Sequence, residues 1–379
     1  MSDRSSAAVK VGLGCLYFVP VLAPGEVQSF PWSDDQWTQA LEQSLGQIPS
    51  ITALNVRCRG AGRFASTEEA ENLETFDCGN FEHPFYGTGV QFTVTIPQRL
   101  HCEFRPFADY RPLDAERFEV TILYGRRGPV SFVRALEYGQ RTQATSQALY
   151  IALVREFLMR ELERVGARLL VRNTGPSPFH ANFVIEPLDG MGSDLGYEWD
   201  SQKLGYADVR LLYDPDIHGL DEFYRQTLLQ IVEPFSDFYH FVRMRNRRML
   251  AEEKVASKSD KLIAIHQSKG LKAWLTKTFR SGGLARELIL DAIAAKQADV
   301  ESRSEVSKAL LKSYAEVQIP ELVEMCEDVN VGFVERIEMA EQVARTLEGG
   351  RVSQYEVLMV SLSTILGGVA GTVAALVTN

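Results

Sequence analysis

The sequence predicts an α+β N-terminal domain with a mixed, mainly antiparallel sheet, followed by an all-α helical region that ends in an apolar, transmembrane helix. Three observations carry this. Period-two apolar runs recur as far as Tyr213, and several neighbouring runs lack the intervening helix that parallel pairing needs. After Pro215 no strand-like run remains, and apolar residues fall three and four apart. From Val357 to Val377 there are 21 residues without a charge. As a helix these span roughly 32 Å, at about 1.5 Å per residue, against a bilayer core of about 30 Å.

Taken in order, Val9 to Leu22 reads as one buried strand ended by Pro20, Pro24 and Gly25. Asp3 and the lack of a small-x-small cleavage site argue against a signal peptide. Ser33 caps an amphipathic helix with Trp37, Leu41 and Leu45 on one face, ending at Gly46. Ile51 to Cys58 is a second strand, and the acidic stretch 60–87 a surface excursion. Val90 to Ile96 alternates apolar and polar residues, the signature of a half-exposed antiparallel strand. Phe118 to Tyr124 alternates likewise. Pro129 to Leu136 follows across Gly125-Arg126-Arg127-Gly128, a hairpin loop whose arginines are either a phosphate contact or a solvated turn.

Gln143 to Val165 has helical periodicity. Arg168 to Arg172 and Phe179 to Glu186 read as strands split by a Pro/Gly turn, Gly190 to Asp200 as an acidic loop, and Asp208 to Tyr213 as the last strand. Together these form one domain over 9–215, which we assign to sensing a ligand or partner.

Residues 219–318 read as a helical region. Phe223, Leu228, Ile231, Phe235 and Phe238 mark a helix bent at Pro234. Residues 243–280 hold eleven Lys or Arg against three Asp or Glu, a net of +8 in a chain of net charge −10. Within them Leu271, Trp274, Leu275 and Phe279 make an apolar stripe with Lys269, Lys272, Lys277 and Arg280 around it. A basic amphipathic helix with tryptophan on its apolar face sits at a lipid headgroup boundary; a helix packing that face on a neighbour has the same pattern. Ser281-Gly282-Gly283 reads as a hinge or turn. Pro320 opens a long helix over 319–348, where Leu322, Cys326, Val329, Phe333, Ile337, Ala340, Ala344 and Leu347 suit a stalk-like coiled coil or a bundle.

Gly349 and Gly350 end that helix, and Ser353 with Glu356 has capping-box spacing before the apolar run. This predicts a membrane-anchor helix over 353–378. Ser363, Gly367, Gly371 and Ala375 fall on one stripe with small-xxx-small spacing, an oligomerisation face in lipid. Arg345 and Arg351 flank only the near side, so a tail anchor would leave the body in the cytoplasm.

The acidic balance argues against general nucleic-acid binding. Five scattered cysteines show neither zinc-ligand nor disulfide spacing and read as free thiols. Phosphate-loop, nucleophile-elbow, zincin and EF-hand motifs are missing, so no cofactor or metal is expected. Asp214, Asp216 and His218, with Asp221 and Glu222, make the densest acidic cluster; it suits a divalent metal or an acidic turn at a positive helix start. His180, Asn182 and Glu186 share one face of a strand. An enzymatic site in this domain would lie between 180 and 218. His101 precedes Cys102 with diverging side chains, and His266 is a pH-sensitive contact in the basic segment.

The layout of α/β domain, long helices and C-terminal membrane end is similar to that of CorA-type magnesium transporters. That family has two spans and a Gly-Met-Asn loop; this chain has one candidate span and no such tripeptide, so no transport activity or residue role carries over. The expected function is a non-enzymatic, self-associating membrane protein triggered by a small ligand or a protein, which opens a pore, disrupts a membrane or localises a complex. A membrane effector in bacterial defence or stress responses would fit this design. The alternatives are a soluble homo-oligomeric scaffold with a buried C-terminal helix, and an enzyme with His180, Asp214 and His218 in its site.

Overall fold

The computed structural model describes residues 8–20, 34–57, 87–104, 113, 115–136, 147–173, 177, 181–190, 196–200, 207–217, 219–313 and 335–349. They fall into two compact units. The first holds the described residues up to Arg243 and from Lys308 to Ser313; the second holds Met244 to Ser307 and 335–349. The N-terminal region is α+β with a mixed sheet, and the C-terminal region is helical.

In chain order the first unit runs β1 (Val9–Gly14), β2 (Leu16–Pro20), α1 (Asp34–Gly46), β3 (Ile51–Arg57), β4 (Gly89–Thr95), α2 (Gln98–His101), β5 (Arg117–Gly125), β6 (Gly128–Ala135), α3 (Ala148–Arg164), β7 (Leu169–Asn173), β8 (Ala181–Pro187), β9 (Gly196–Asp200), β10 (Ala207–Tyr213) and the start of α4 (Leu220–Gln267). Eight strands make one sheet in the order β3-β4-β5-β6-β1-β8-β10-β9. Every neighbouring pair is antiparallel except β8 with β10. β2 and β7 form a separate antiparallel pair.

Alternation sets what each face does. Val90, Phe92 and Val94 of β4 are buried beside Phe118, Val120 and Ile122 of β5, while Gln91, Thr93 and Thr95 are half-buried. Helix α3 lies close on β1. A Cβ at Gly12 would stand 2.5 Å from the Gln147 carbonyl oxygen, and one at Gly14 2.9 Å from Ile151 Cγ2. Glycine at both positions is therefore what lets helix and strand meet. The first half of α4 packs by aromatic contacts: Phe235 edge-on to Phe183 at 5.5 Å, and Phe223 stacked on Tyr213 at 4.8 Å.

Three expectations are corrected. The run from Val9 is two strands in two sheets, because at Leu16 the backbone N–H donates to Ser131 Oγ (2.9 Å) and β2 then pairs with β7. Gly196–Asp200, expected as loop, is the sheet-edge strand β9. Ser281-Gly282-Gly283 is not a hinge but the first turn of α6 (Ser281–Ser313). Pro234 sits inside α4 without ending it.

The second unit is built from the remainder of α4, α5 (Leu271–Phe279), α6 and a helix over 335–349. Its core is thin and alanine-rich. Val255, Leu262, Ala285, Leu288, Ala340 and Ala344 form one cluster, and Ala292, Ala295 and Ile337 another. Ile337, Ala340, Ala344 and Leu347, the described part of the proposed seam, thus serve bundle packing; 319–334 lie outside the described residues. Small side chains let helix axes approach closely, and ion pairs line the edges. Lys254 meets Asp291 (2.9 Å), Lys258 meets Glu287 (2.9 Å), and Arg248 meets Asp299, so α4 and α6 run antiparallel. Lys296 to Glu341 (2.7 Å) and Arg286 to Glu348 (3.1 Å) show the same for α6 and 335–349.

Burial works against the Asp291 charge, but hydrogen bonds from Lys258 and Lys254 outweigh it and hold the carboxyl below its ordinary value. Hydrogen bonds from Lys296 and Arg345 likewise lower that of Glu341. A carboxyl depressed in the folded state adds stability above its unfolded pKa, and that contribution is lost as pH falls through the folded value. Acidification from about pH 5 to about pH 3 is therefore expected to reduce the stability of the helical unit by about 1 kcal/mol or less per partly exposed pair, and to lower its melting temperature accordingly. Thermal melts of Asp291→Asn/Glu341→Gln should show a flatter pH dependence than the native chain.

Candidate functional site

Gly270 at φ +101° breaks the chain between α4 and α5. At the other end Arg280 closes α5, Ser281 Oγ donates to the Lys277 carbonyl, and α6 begins at once. The result is a nine-residue helix held between two longer ones. Successive residues advance about 100° around a helix, so Trp274, Leu275 and Phe279 share one side and Lys277 and Arg280 the other. All three apolar side chains are exposed: Trp274 by 42%, Leu275 by 44% and Phe279 by 68%. Lys269 and Arg280 at the two ends are exposed as well, and Lys272 belongs to the same helix. Among the described residues Phe279 is not covered by a packing neighbour. Burial, with the Lys277 charge nearby, pushes the His266 imidazole below its ordinary value.

The other sequence candidates disperse. The hairpin tip is a structural latch on α4. The Arg126 N–H donates to the Glu233 carboxylate (3.1 Å), the Arg127 N–H to Ser236 Oγ (3.0 Å), and Ser236 Oγ donates to the Gly128 carbonyl (3.0 Å). The Arg243 guanidinium donates to the Arg127 carbonyl. A Cβ at Gly125 would stand 2.7 Å from that of Ser236. The N–H groups that would cradle a phosphate already serve the helix.

The acidic cluster separates in the same way. Asp214 is buried and its carboxylate accepts the Asp216 N–H (3.0 Å), a turn motif. Asp221 reaches Arg134 (2.8 Å), which also meets Glu119 (3.2 Å) and lies over the Tyr224 ring at 4.5 Å. Glu222 pairs along its own helix with Arg225 and Gln226. His218 lies outside the described residues. Among the described residues no group of three or more His, Cys, Asp or Glu is placed to hold a metal.

Asn182 accepts from the Gln147 N–H (3.3 Å) and donates to Asp208 (3.0 Å), which fixes the start of α3 over β8 and β10. Glu186 is half-buried on the same strand face, and His180 lies outside the described residues. His101 is buried with Nε2 2.8 Å from the Ile96 carbonyl, while Cys102 is exposed. Arg134, Ser131 and Ser236 escaped notice in the sequence. Their signal was a polar residue inside an apolar run, as in Val-Ser-Phe-Val-Arg-Ala.

Among the described residues no helix is long and apolar enough to cross a membrane. Residues 350–379 lie outside them, and with them the whole uncharged segment, including Ser363, Gly367, Gly371 and Ala375. The chain matches no family model, no curated protein and no solved structure.

Proposed function

We propose that this is a membrane-bound, self-associating protein. Its α+β unit recognises a small ligand or a protein trigger, and its helical end engages lipid. The observation that carries this is the exposed Trp274, Leu275 and Phe279 beside Lys277 and Arg280 on α5. An apolar side chain left in water on a basic helix is stabilised by immersion at an anionic lipid boundary. The uncharged segment Val357–Val377 supplies the deeper attachment, and its stripe of Ser363, Gly367, Gly371 and Ala375 an assembly face. Arg345 and Arg351 favour a cytoplasmic body. Assembly of such segments would open a pore or disrupt the bilayer.

The test separates the two attachments. A chain carrying Leu366→Arg, which removes deep insertion, should still bind phosphatidylcholine/phosphatidylglycerol vesicles, in a salt-sensitive way. Full burial of a large apolar side chain is worth about 1.5–3 kcal/mol, so adding Trp274→Ser and Phe279→Ser should weaken that binding about a hundredfold. Equal binding with and without those two substitutions would remove α5 from the account.

A further inference from the structure

Helix α6 is apolar on two opposite sides. Ala285, Leu288, Ala292 and Ala295 are buried in the bundle. Leu290 (66% exposed), Ile293 (47%) and Val300 (67%), with exposed Ala294 and Ala298, face the other way. At about 100° per residue the two sets are centred half a turn apart. An apolar stripe is stabilised by packing on another element, and only one of the two stripes of this helix is so placed.

We propose that the outer face of α6 pairs with the same face of a second copy, antiparallel about a two-fold axis between Ile293 and Ala294. The charges support this occupant over lipid. Arg286, exposed although its Nε meets Glu348 (3.1 Å), stands at one end of the apolar stripe, and Glu301, exposed while accepting from Gln297 (2.9 Å), at the other, seven residues beyond Ile293 and Ala294 respectively. An isologous contact needs this antisymmetry, because residue i meets j and j meets i. In this register Arg286 of each copy faces Glu301 of the other, and Leu290 faces Gln297. Glu287, which would approach Val300, is drawn aside by Lys258 at 2.9 Å. Small residues at the centre, Ala294 and Ala298, let the helices come close. A lipid surface has no use for the acidic end.

The register is tested by cysteine crosslinking of the full chain, mixed with its native cysteines replaced by serine. Ala294→Cys should crosslink to itself on mild oxidation. Arg286→Cys alone should not, but should crosslink to chains carrying Glu301→Cys. Arg286→Glu should lower the yield at position 294 at least fivefold, and Glu301→Arg in the same chain should restore it. These positions are exposed, so folding is expected to survive, and circular dichroism checks it. Self-crosslinking through Arg286→Cys would overturn the antiparallel register. A cysteine at 294 that never crosslinks, yet is shielded from maleimide in the free chain or only when vesicles are added, would overturn the pairing in favour of the C-terminal segment or of lipid.

Discussion

Leu366→Arg is expected to release the protein from neutral vesicles almost completely. Ten Leu, Ile and Val lie between Val357 and Val377, and at about −0.3 to −0.6 kcal/mol each they favour insertion by about 3–6 kcal/mol. Arginine at the centre of a span costs about 2.5–3.5 kcal/mol, and the lost leucine adds a few tenths. The total change, about 3–4 kcal/mol, cancels most of the driving force and lowers partitioning by about 100- to 1,000-fold. Leu366→Phe keeps apolar character and should stay bound. Flotation of both variants on phosphatidylcholine vesicles reads the difference. Undiminished flotation of Leu366→Arg would mean that this segment is not what holds the protein to lipid.

Asp299→Ala should unfold the helical unit under conditions where the native chain is stable. The Asp299 side chain is 3% exposed, and it meets Arg248, 9% exposed, from α4 and Arg303 from its own helix. Burial already works against the Arg248 charge, with Asp299 pulling the other way. Removing the carboxylate takes from the buried Arg248 guanidinium its acidic partner across the bundle, and breaking a buried pair from one side costs about 3–5 kcal/mol. Replacing both partners, Asp299→Leu with Arg248→Met, should recover most of that loss, because a well-packed apolar pair is often as stable as a buried ion pair. Urea denaturation followed by circular dichroism distinguishes the variants. A cost near zero for Asp299→Ala would show that the pair is solvated in practice.

Much of the fold was legible because one face of each element is buried. Trp37, Leu41 and Leu45 are each at most 1% exposed, as the spacing of α1 requires, and β4 alternates as its sequence does. What escaped depends on distant partners. The break at Cys15 follows from a hydroxyl at Ser131, more than a hundred residues away. β9 escaped because a short edge strand in a glycine-rich acidic window has no buried period of its own. Gly282 and Gly283 have poor helix propensity, yet Ala285 and Leu288 bury beside them and tertiary packing wins. The amphipathic stripe of α5 was readable, but its exposure was not, since sequence alone does not say what covers an apolar face. The Arg126-Arg127 tip looked like a free basic loop because its latch, Ser236 and Arg243, belongs to another element.

Flotation of the full-length chain with phosphatidylcholine/phosphatidylglycerol liposomes, without detergent, tests the central claim most directly. The chain should rise with the vesicles and stay with them at high salt and alkaline carbonate, because the proposed attachment through Val357–Val377 is apolar. A chain that remains at the bottom of the gradient as a defined, detergent-free particle would contradict the account and place the uncharged segment inside protein.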